Sequence, residues 1–173
     1  MTEPRTERTP LPNDFSVAQA CFGCGPANPQ SLGLVFEAVG ETVEATFSLG
    51  EQFSGAPAFV HGGVVMTVLD EAMAWSTIGI RRRFALTKDF TAQFAVPVMV
   101  KGEYIVRAHP GPLVEGDREL AVYGEILDDS GAVCATAQGT YWVMTAQDTA
   151  AAIGRPELTE EFLAYEFPSV DAP

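Results

Sequence analysis

The segment FVHGGVVMTVLDEAMAWSTIG, residues 59–79, is the most informative part of this sequence for the fold. Apolar side chains cover almost every face of it, and a helix that is apolar all round belongs inside a protein. Asp70 and Glu71 nevertheless lie near its middle. At about 100° per residue, Asp70 shares one stripe of the helix with Thr67 and Thr77. A carboxylate on an interior helix is costly unless it is paired, hydrogen-bonded or open to a cleft, so this pattern indicates a site.

The start of the predicted helix gives a second indication of a site. His61 is followed by Gly62 and Gly63, and glycine is a poor helix former. Free backbone N–H groups at a helix N-terminus can bind an anion or a developing oxyanion, and glycine lets a ligand approach them closely. An ordinary flexible turn before a core helix would explain the same three residues. Both interpretations stay open for this motif taken alone.

Two motifs of the sequence together resemble those of a known family. The segment FSGAPAFVHGG, residues 53–63, is followed by VVMTVLDEAMA, and the upstream segment CFGCGPANPQSLGL spans residues 21–34. Together they resemble hotdog-fold acyl-CoA thioesterases, in the group related to phenylacetic-acid-pathway thioesterases and the mammalian thioesterase-superfamily members. The resemblance extends over residues 21–144. It implies an α+β hotdog fold, in which a curved antiparallel sheet wraps around one long central helix.

The resemblance also implies a reaction and its residues. An acyl-CoA thioester would be hydrolysed to a free acid and coenzyme A, with no cofactor. Asp70 would be the base or nucleophile, and the backbone N–H groups of Gly63 and Gly62 would stabilise the oxyanion. His61 would fix the loop or the carbonyl, and Thr87, on the strand after the helix, would assist.

The second carboxylate, Glu71, leaves an alternative open. It lies about 100° round the helix from Asp70 and could be the active group, as a glutamate is in some hotdog thioesterases. We otherwise count Glu71 among the substrate-binding residues. The acyl chain would lie against helix residues such as Met66, Met73 and Trp75. Hotdog domains pair their sheets edge to edge, so the resemblance implies a homodimer or a dimer of dimers with each active site shared between two chains.

Charge argues against one class of partner and favours another. The net charge of −13 argues against binding to nucleic acid. A local band of positive charge could nevertheless bind the phosphates of coenzyme A, although such side chains often do no more than solvate a surface. The members that we assign to substrate binding are Arg81, Arg82, Arg83 and Lys88, and Lys101 and Arg107 complete the band.

The three cysteines, Cys21, Cys24 and Cys134, are interpreted as reduced thiols. A Cys-x-x-Cys pair can bind zinc or carry out redox chemistry. No second pair and no closely spaced histidines complete a set of four ligands, so we expect no metal and a structural role for this loop. We also expect no signal peptide and no membrane span, which favours a cytoplasmic protein.

Composition divides the chain into residues 1–20, 21–145 and 146–173. The first part is predicted to be a polar tail followed by a short turn of helix in residues 15–20, the second is the hotdog domain, and the third is an acidic helical extension. Alternating apolar residues and turn motifs predict strands at residues 32–38, 42–49, 83–95, 104–108, 118–127 and 133–145. Residues 50–60 are predicted to form a loop, and residues 147–153 and 157–166 to form helices.

Two other functions stay open on the sequence. Hotdog proteins include hydratases and dehydratases, which usually carry a histidine on the helix, and this stretch has no histidine after His61. A non-catalytic acyl-CoA-binding protein would keep the pocket and would not need Asp70. A thiol-release assay, run together with a crotonyl-CoA hydration assay, would separate the three functions.

Overall fold

One long helix and one large antiparallel sheet organise the chain. The structure is a computed structural model, and it describes residues 7–13, 19–114, 116–158, 162 and 165. Its elements in chain order are β1 (Arg8–Pro10), β2 (Glu37–Val39), β3 (Thr42–Phe47), β4 (Ser54–Ala56), β5 (Phe59–Val60), α1 (Gly62–Gly79), β6 (Ala85–Phe94), β7 (Tyr104–Pro110), β8 (Glu119–Asp128), β9 (Val133–Val143) and α2 (Ala146–Ala152). The turn of helix expected in residues 15–20 and most of the helix expected in residues 157–166 lie outside the described residues.

Helix α1 lies in the interior because apolar side chains surround most of it. Val68, Leu69, Ala72 and Met73 are completely buried, and burying a large apolar side chain stabilises a fold by roughly 1.5–3 kcal/mol. The helix packs against five strands, β3, β6, β7, β8 and β9. Among the described residues, no helix combines the length and the apolar character needed to cross a bilayer.

The sheet has the strand order β1-β2-β3-β7-β8-β9-β6, and all neighbours are antiparallel. Strands β3 and β6 are well separated in this order, yet both contact α1, so the sheet curves around the helix. One helix enclosed by a curved antiparallel sheet is the hotdog arrangement, which confirms the predicted fold class. The four strands predicted after the helix, and the helix predicted in residues 147–153, are confirmed with small shifts at their ends.

Two predictions for the segment before α1 are wrong. Residues 32–36 are irregular, and the strand is confined to Glu37–Val39. The N–H groups of two leucines in the irregular part donate to carbonyls of the loop at residues 21–25, so this segment pairs with the loop instead of the sheet. Residues 50–60 are not all loop, because β4 and β5 form a small second sheet immediately before the helix.

Both ends of the described chain pack onto the domain. We expected no regular structure in residues 1–14, but β1 pairs with β2 and adds a strand to the main sheet. The expectation failed because alternation cannot be recognised in a strand of three residues. At the other end, Phe162 is buried against Phe84, so part of the acidic extension lies on the domain.

Strand β6 is an edge of the sheet, and its one neighbour among the described strands is β9. None of its residues is fully buried, and the apolar side chains of Leu86 and Phe94 are 55% and 52% exposed. A long edge strand with exposed apolar side chains is a surface that proteins usually protect or pair. This edge is therefore the part of the fold best suited to pairing with a second chain.

Candidate active site

The Asp70 carboxylate is held through one of its two oxygens. Thr87 Oγ1 donates to Asp70 Oδ1 at 2.6 Å, and the Tyr141 hydroxyl donates to the same oxygen at 2.6 Å. The Tyr141 hydroxyl also lies 3.1 Å from the backbone carbonyl oxygen of Asp70. Asp70 Oδ2 has no hydrogen-bond partner within the described part of the chain. Two hydroxyls therefore orient the carboxylate and leave Oδ2 open to a water or a substrate.

The register of the sheet explains why two hydroxyls meet at one oxygen. Thr87 on β6 is the direct cross-strand partner of Tyr141 on β9. The register shifts immediately afterwards, between Thr87 and Asp89, which makes Lys88 the extra residue of a β-bulge. Bulges bend a strand, re-aim its side chains and are frequent next to active sites. The structure thus brings Thr87 to Asp70 as the motif implied, and its assistance in a reaction stays a prediction.

Tyr141 is the candidate residue that the sequence did not reveal. Its side chain is completely buried. Burial, followed by the negative charge of Asp70, raises the pKa of Tyr141 above its ordinary value, so the phenol stays protonated and acts as a donor. A tyrosine in an apolar strand is usually a core residue. The one sequence signal for another role was its pairing with Thr87, which requires the strand register to be known.

His61 caps the N-terminus of α1. Its Nδ1 accepts a hydrogen bond from the Gly63 N–H at 2.9 Å. The proton of the neutral ring is then on Nε2, which can donate to a ligand. The same bond occupies one of the two amides predicted to face an oxyanion. The Gly62 N–H has no acceptor among the residues described, and a Cβ on Gly62 would meet no atom within 4 Å.

The two halves of the predicted site are far apart within one chain. Gly63 and Asp70 both lie on α1, and at about 1.5 Å per residue their backbones are about 10 Å apart. An oxyanion donor must lie about 3 Å from the carbonyl oxygen, and a base must reach its proton within a similar distance or through one water. One chain therefore cannot easily place both groups on the same carbonyl, whereas a second chain could supply the missing half.

A cleft of about 580 Å³ opens beside His61. Its apolar lining consists of Phe22, Pro29, Phe53 and Val64. The sequence predicted that Met66, Met73 and Trp75 would line the acyl pocket, and none of the three lines this cleft. Met73 and Trp75 are buried in the core, where Met73 lies against Gly124 of β8 and Trp75 stacks on Phe36.

The four cationic residues predicted to bind substrate contact other parts of this chain. Arg81 donates to a backbone carbonyl at 3.0 Å, Arg82 lies over an aromatic ring of the C-terminal extension, and Lys88 forms an ion pair with a carboxylate of β8. Arg83 is half-buried next to them. No described contact joins any of the four to Asp70. Binding of coenzyme A phosphates by these residues stays a prediction.

Glu71 faces a different neighbour from Asp70, the loop at residues 21–25. Cys21 Sγ lies 3.5 Å from Glu71 Oε1, and the indole N–H of Trp75 donates to the same oxygen at 3.3 Å. Burial raises the pKa of Glu71 to about 7. The structure thus separates the two carboxylates, because hydroxyls meet Asp70 and thiols meet Glu71. A part for Glu71 in substrate binding or catalysis stays a prediction.

The two cysteines of that loop differ from each other. Cys21 is exposed, Cys24 is partly buried, and both are free thiols. A hydrogen bond from the Cys24 side chain is the main cause that lowers the pKa of Cys21 to about 5. The same hydrogen bond raises the pKa of Cys24. Cys21 is therefore the more readily ionised of the two.

Comparison with known proteins gives matches in structure and none in sequence. No protein-family model matches the sequence, and no curated protein matches it. A solved thioesterase superfamily protein matches with a TM-score of 0.66 and 20% identity, over 82% of this chain and 68% of that chain. The E. coli PaaI protein from the phenylacetic acid degradation operon matches with a TM-score of 0.59 and 17% identity, over 66% of this chain and 82% of that chain.

A third solved structure, a Streptococcus mutans protein bound to acetyl CoA, matches with a TM-score of 0.55 and 15% identity. The match covers 60% of this chain and 82% of that chain. At identities this low, such similarity shows the fold, and it confirms that this chain is a hotdog domain of the kind found in thioesterase superfamily proteins.

Proposed function

We propose that the protein is an acyl-CoA thioesterase that hydrolyses a thioester to a free acid and coenzyme A. The proposal rests on the Asp70 carboxylate, which is oriented through Oδ1 by two hydroxyls and open at Oδ2. Two comparisons support it. Solved proteins with the same fold belong to the thioesterase superfamily, and one protein with this fold was solved with acetyl CoA bound.

In the proposed reaction Asp70 is the general base. It takes a proton from a water at Oδ2, the water oxygen bonds to the thioester carbon, and the carbonyl electron pair moves onto the carbonyl oxygen. The C–S bond then breaks, and the thiolate of coenzyme A takes the proton from Asp70. In the alternative route Asp70 itself attacks the carbonyl carbon. Incorporation of heavy oxygen from labelled water into Asp70 during a single turnover would identify that route.

The proposed site combines residues from two chains, as a homodimer or a dimer of dimers. The distance of about 10 Å between Gly63 and Asp70 within one chain is the reason, since their groups must meet at one carbonyl. The partner would supply the Gly62 N–H as the first oxyanion donor, because the Gly63 N–H already donates to His61. The exposed edge strand β6 would pair the two chains.

A thiol-release assay over a panel of acyl-CoAs, together with a crotonyl-CoA hydration assay, tests the activity. We expect thiol release with at least one acyl class and no hydration of crotonyl-CoA. Hydration without thiol release would make the protein a hydratase. Tight binding of acyl-CoA without either reaction would make it a binding protein.

Subunit complementation tests the shared site. Asp70→Asn removes the proposed base, and Gly62→Ala places a methyl group beside the amide proposed to hold the oxyanion, where it meets no atom of its own chain within 4 Å. In a dimer with shared sites, each mixed dimer contains one intact site and one doubly altered site. Equal mixing by unfolding and refolding together should therefore restore about a quarter of wild-type activity. If each site were contained in one chain, mixing would restore nothing.

A further inference from the structure

Two thiols and a carboxylate converge where the loop at residues 21–25 meets α1. The sulfur atoms of Cys21 and Cys24 and a carboxylate oxygen of Glu71 all lie within 4.8 Å of one another. Glu71 Oε1 and Oε2 lie 3.5 and 3.6 Å from the Cys21 sulfur. Glu71 is 50 residues from Cys21 along the chain, so the fold brings the group together, not the local sequence.

The backbone of the loop holds the thiols in place. The Gly25 N–H donates to the Cys21 carbonyl at 2.9 Å and closes a tight turn. Gly23 and Cys24 lie in that turn, and their backbone N–H groups help to lower the pKa of Cys21. Amides directed at a sulfur stabilise the thiolate, which is the form of cysteine that binds a metal ion.

Glycine at position 23 lets the carboxylate reach the loop. A Cβ on Gly23 would lie 2.5 Å from Glu71 Oε2, which is too close for any ordinary contact. The indole of Trp75 then fixes the other oxygen, with a hydrogen bond of 3.3 Å to Oε1. A turn thus positions the two thiols, whereas the close approach at Gly23 and the indole donor position the carboxylate.

The cluster contains three groups that can be anionic. Among the described residues, no lysine, arginine or histidine forms an ion pair with Glu71. A half-buried carboxylate beside two thiols is costly when it is ionised without a counter-charge. A bound metal ion would supply that charge.

We propose that Cys21, Cys24 and Glu71 bind Zn²⁺, with a water as the fourth ligand. Zn–S bonds of about 2.3 Å and Zn–O bonds of about 2.0–2.2 Å at tetrahedral angles place the sulfur and oxygen ligands about 3.5 Å apart. Cys21 and Glu71 already have that separation. The second sulfur lies within 4.8 Å of both atoms, so a small side-chain movement would complete the site.

The ion ties the loop to α1 beside the proposed active site. Phe22, between the two cysteines, lines the cleft next to His61. The zinc therefore fixes one wall of that cleft. It lies at Glu71 and not at the hydroxyls that hold Asp70, and we assign it no step in thioester hydrolysis.

Metal titration of the full chain tests the site. The purified protein is kept reduced with a phosphine, dialysed against a chelator, and titrated with Co²⁺ and then Zn²⁺. We expect thiolate-to-cobalt charge-transfer absorption that saturates at one Co²⁺ per chain and disappears when Zn²⁺ displaces the cobalt. A wild-type protein without this absorption would overturn the proposal.

Variants identify the ligands. Cys21→Ser combined with Cys24→Ser should abolish the absorption, and Cys134→Ser, the matched control at the third cysteine, should leave it intact. Glu71→Gln should weaken Zn²⁺ binding by about tenfold or more, since it removes the ligand charge. An unchanged affinity in Glu71→Gln would overturn the three-ligand site. Circular dichroism of each variant shows whether it is folded.

A count of free thiols in protein prepared without reductant tests a competing role for the two cysteines. The same two cysteines could form a disulfide if a low-molecular-weight disulfide oxidised them. Loss of both thiols in that preparation, combined with no Co²⁺ binding by the reduced protein, would make the motif a redox pair and not a zinc site.

Discussion

Asp70 and Glu71 are neighbours on one helix, yet their surroundings differ in kind. Asp70 Oδ1 accepts hydrogen bonds from two hydroxyls at 2.6 Å each, whereas Glu71 Oε1 lies 3.5 Å from a thiol and 3.3 Å from an indole nitrogen. A helix turns about 100° per residue, so Asp70 faces the sheet whereas Glu71, the next residue, faces the loop at residues 21–25. The environment of a carboxylate on an interior helix is therefore set by the element packed against it.

The two environments also provide different polar partners. Thr87 and Tyr141 each donate a hydrogen bond to one carboxylate oxygen of Asp70, and hydrogen bonds to charged groups contribute about 1.5–3 kcal/mol each. Burial raises the pKa of Glu71 to about 7, so in the metal-free protein much of this group is protonated near neutral pH. The proposed base at Asp70 is thus oriented by two hydroxyls, whereas no positive group among the described residues forms an ion pair with Glu71.

The largest expected effect comes from removing the charge of Asp70. Asp70→Asn keeps the shape and the hydrogen-bonding capacity of the side chain. Turnover of an accepted acyl-CoA should fall by roughly two to four orders of magnitude, which is typical for loss of a general base. Coenzyme A binding, measured by calorimetry, should be largely kept.

Glu71→Gln is the matched control for that variant. It removes the neighbouring charge on the same helix, and turnover should fall by much less. An equal collapse in Glu71→Gln would mean that the wrong carboxylate was assigned. Full activity in folded Asp70→Asn would contradict the thioesterase proposal and favour a binding module.

A smaller effect should follow from removing one hydroxyl from Asp70. Tyr141→Phe keeps the buried ring and deletes a hydrogen bond to a charged group, so kcat should fall by about 10- to 100-fold while KM changes little. Thr87 is the cross-strand partner of Tyr141, and Thr87→Val should give a similar fall in kcat. If KM rose and kcat did not change, both hydroxyls would contact substrate instead of orienting the base.

The sequence predicted one carboxylate environment better than the other. The resemblance assigned Asp70 and Thr87 to one site, and the structure brings the two side chains into contact, while their roles in a reaction stay predictions. The resemblance did not identify Tyr141, whose hydroxyl reaches Asp70 only through the register between β6 and β9. Strand register depends on pairing across the whole sheet and cannot be read from one strand.

The loop side was predicted less well, for a related reason. The search for metal ligands counted cysteines and histidines by spacing, and it found an incomplete set around Cys21 and Cys24. Glu71 joins them through tertiary packing that depends on Gly23 having no side chain. In the same region, residues 32–36 were predicted as strand because their alternation was clear, but they pair with this loop. Local pattern therefore predicted the helix and the long strands and missed the contacts between loop and helix.

The smallest effect on turnover is expected for Gly23→Ala, which changes the Glu71 side alone. The new methyl would lie 2.5 Å from Glu71 Oε2, so the carboxylate has to move away from the thiols. Because the atoms in the way are the end of a flexible side chain, the loss of unfolding free energy should be about 1 kcal/mol or less, at the low end for overpacking. Denaturant unfolding should show that loss, and Co²⁺ binding should weaken, while kcat stays close to wild type because Asp70 and its hydroxyls are untouched.

Gly62→Ala should lower turnover without lowering stability, which is the opposite of the result expected for Gly23→Ala. Its methyl meets no atom within 4 Å, and alanine in place of glycine in a helix stabilises a protein by about 0.5 kcal/mol. The same methyl obstructs the amide proposed to hold the oxyanion, so turnover should fall although stability does not. If Gly23→Ala lost turnover as well as metal binding, the two carboxylates would not be independent. The loop at residues 21–25 would then belong to the active site, and the separation between the Asp70 and Glu71 environments would be wrong.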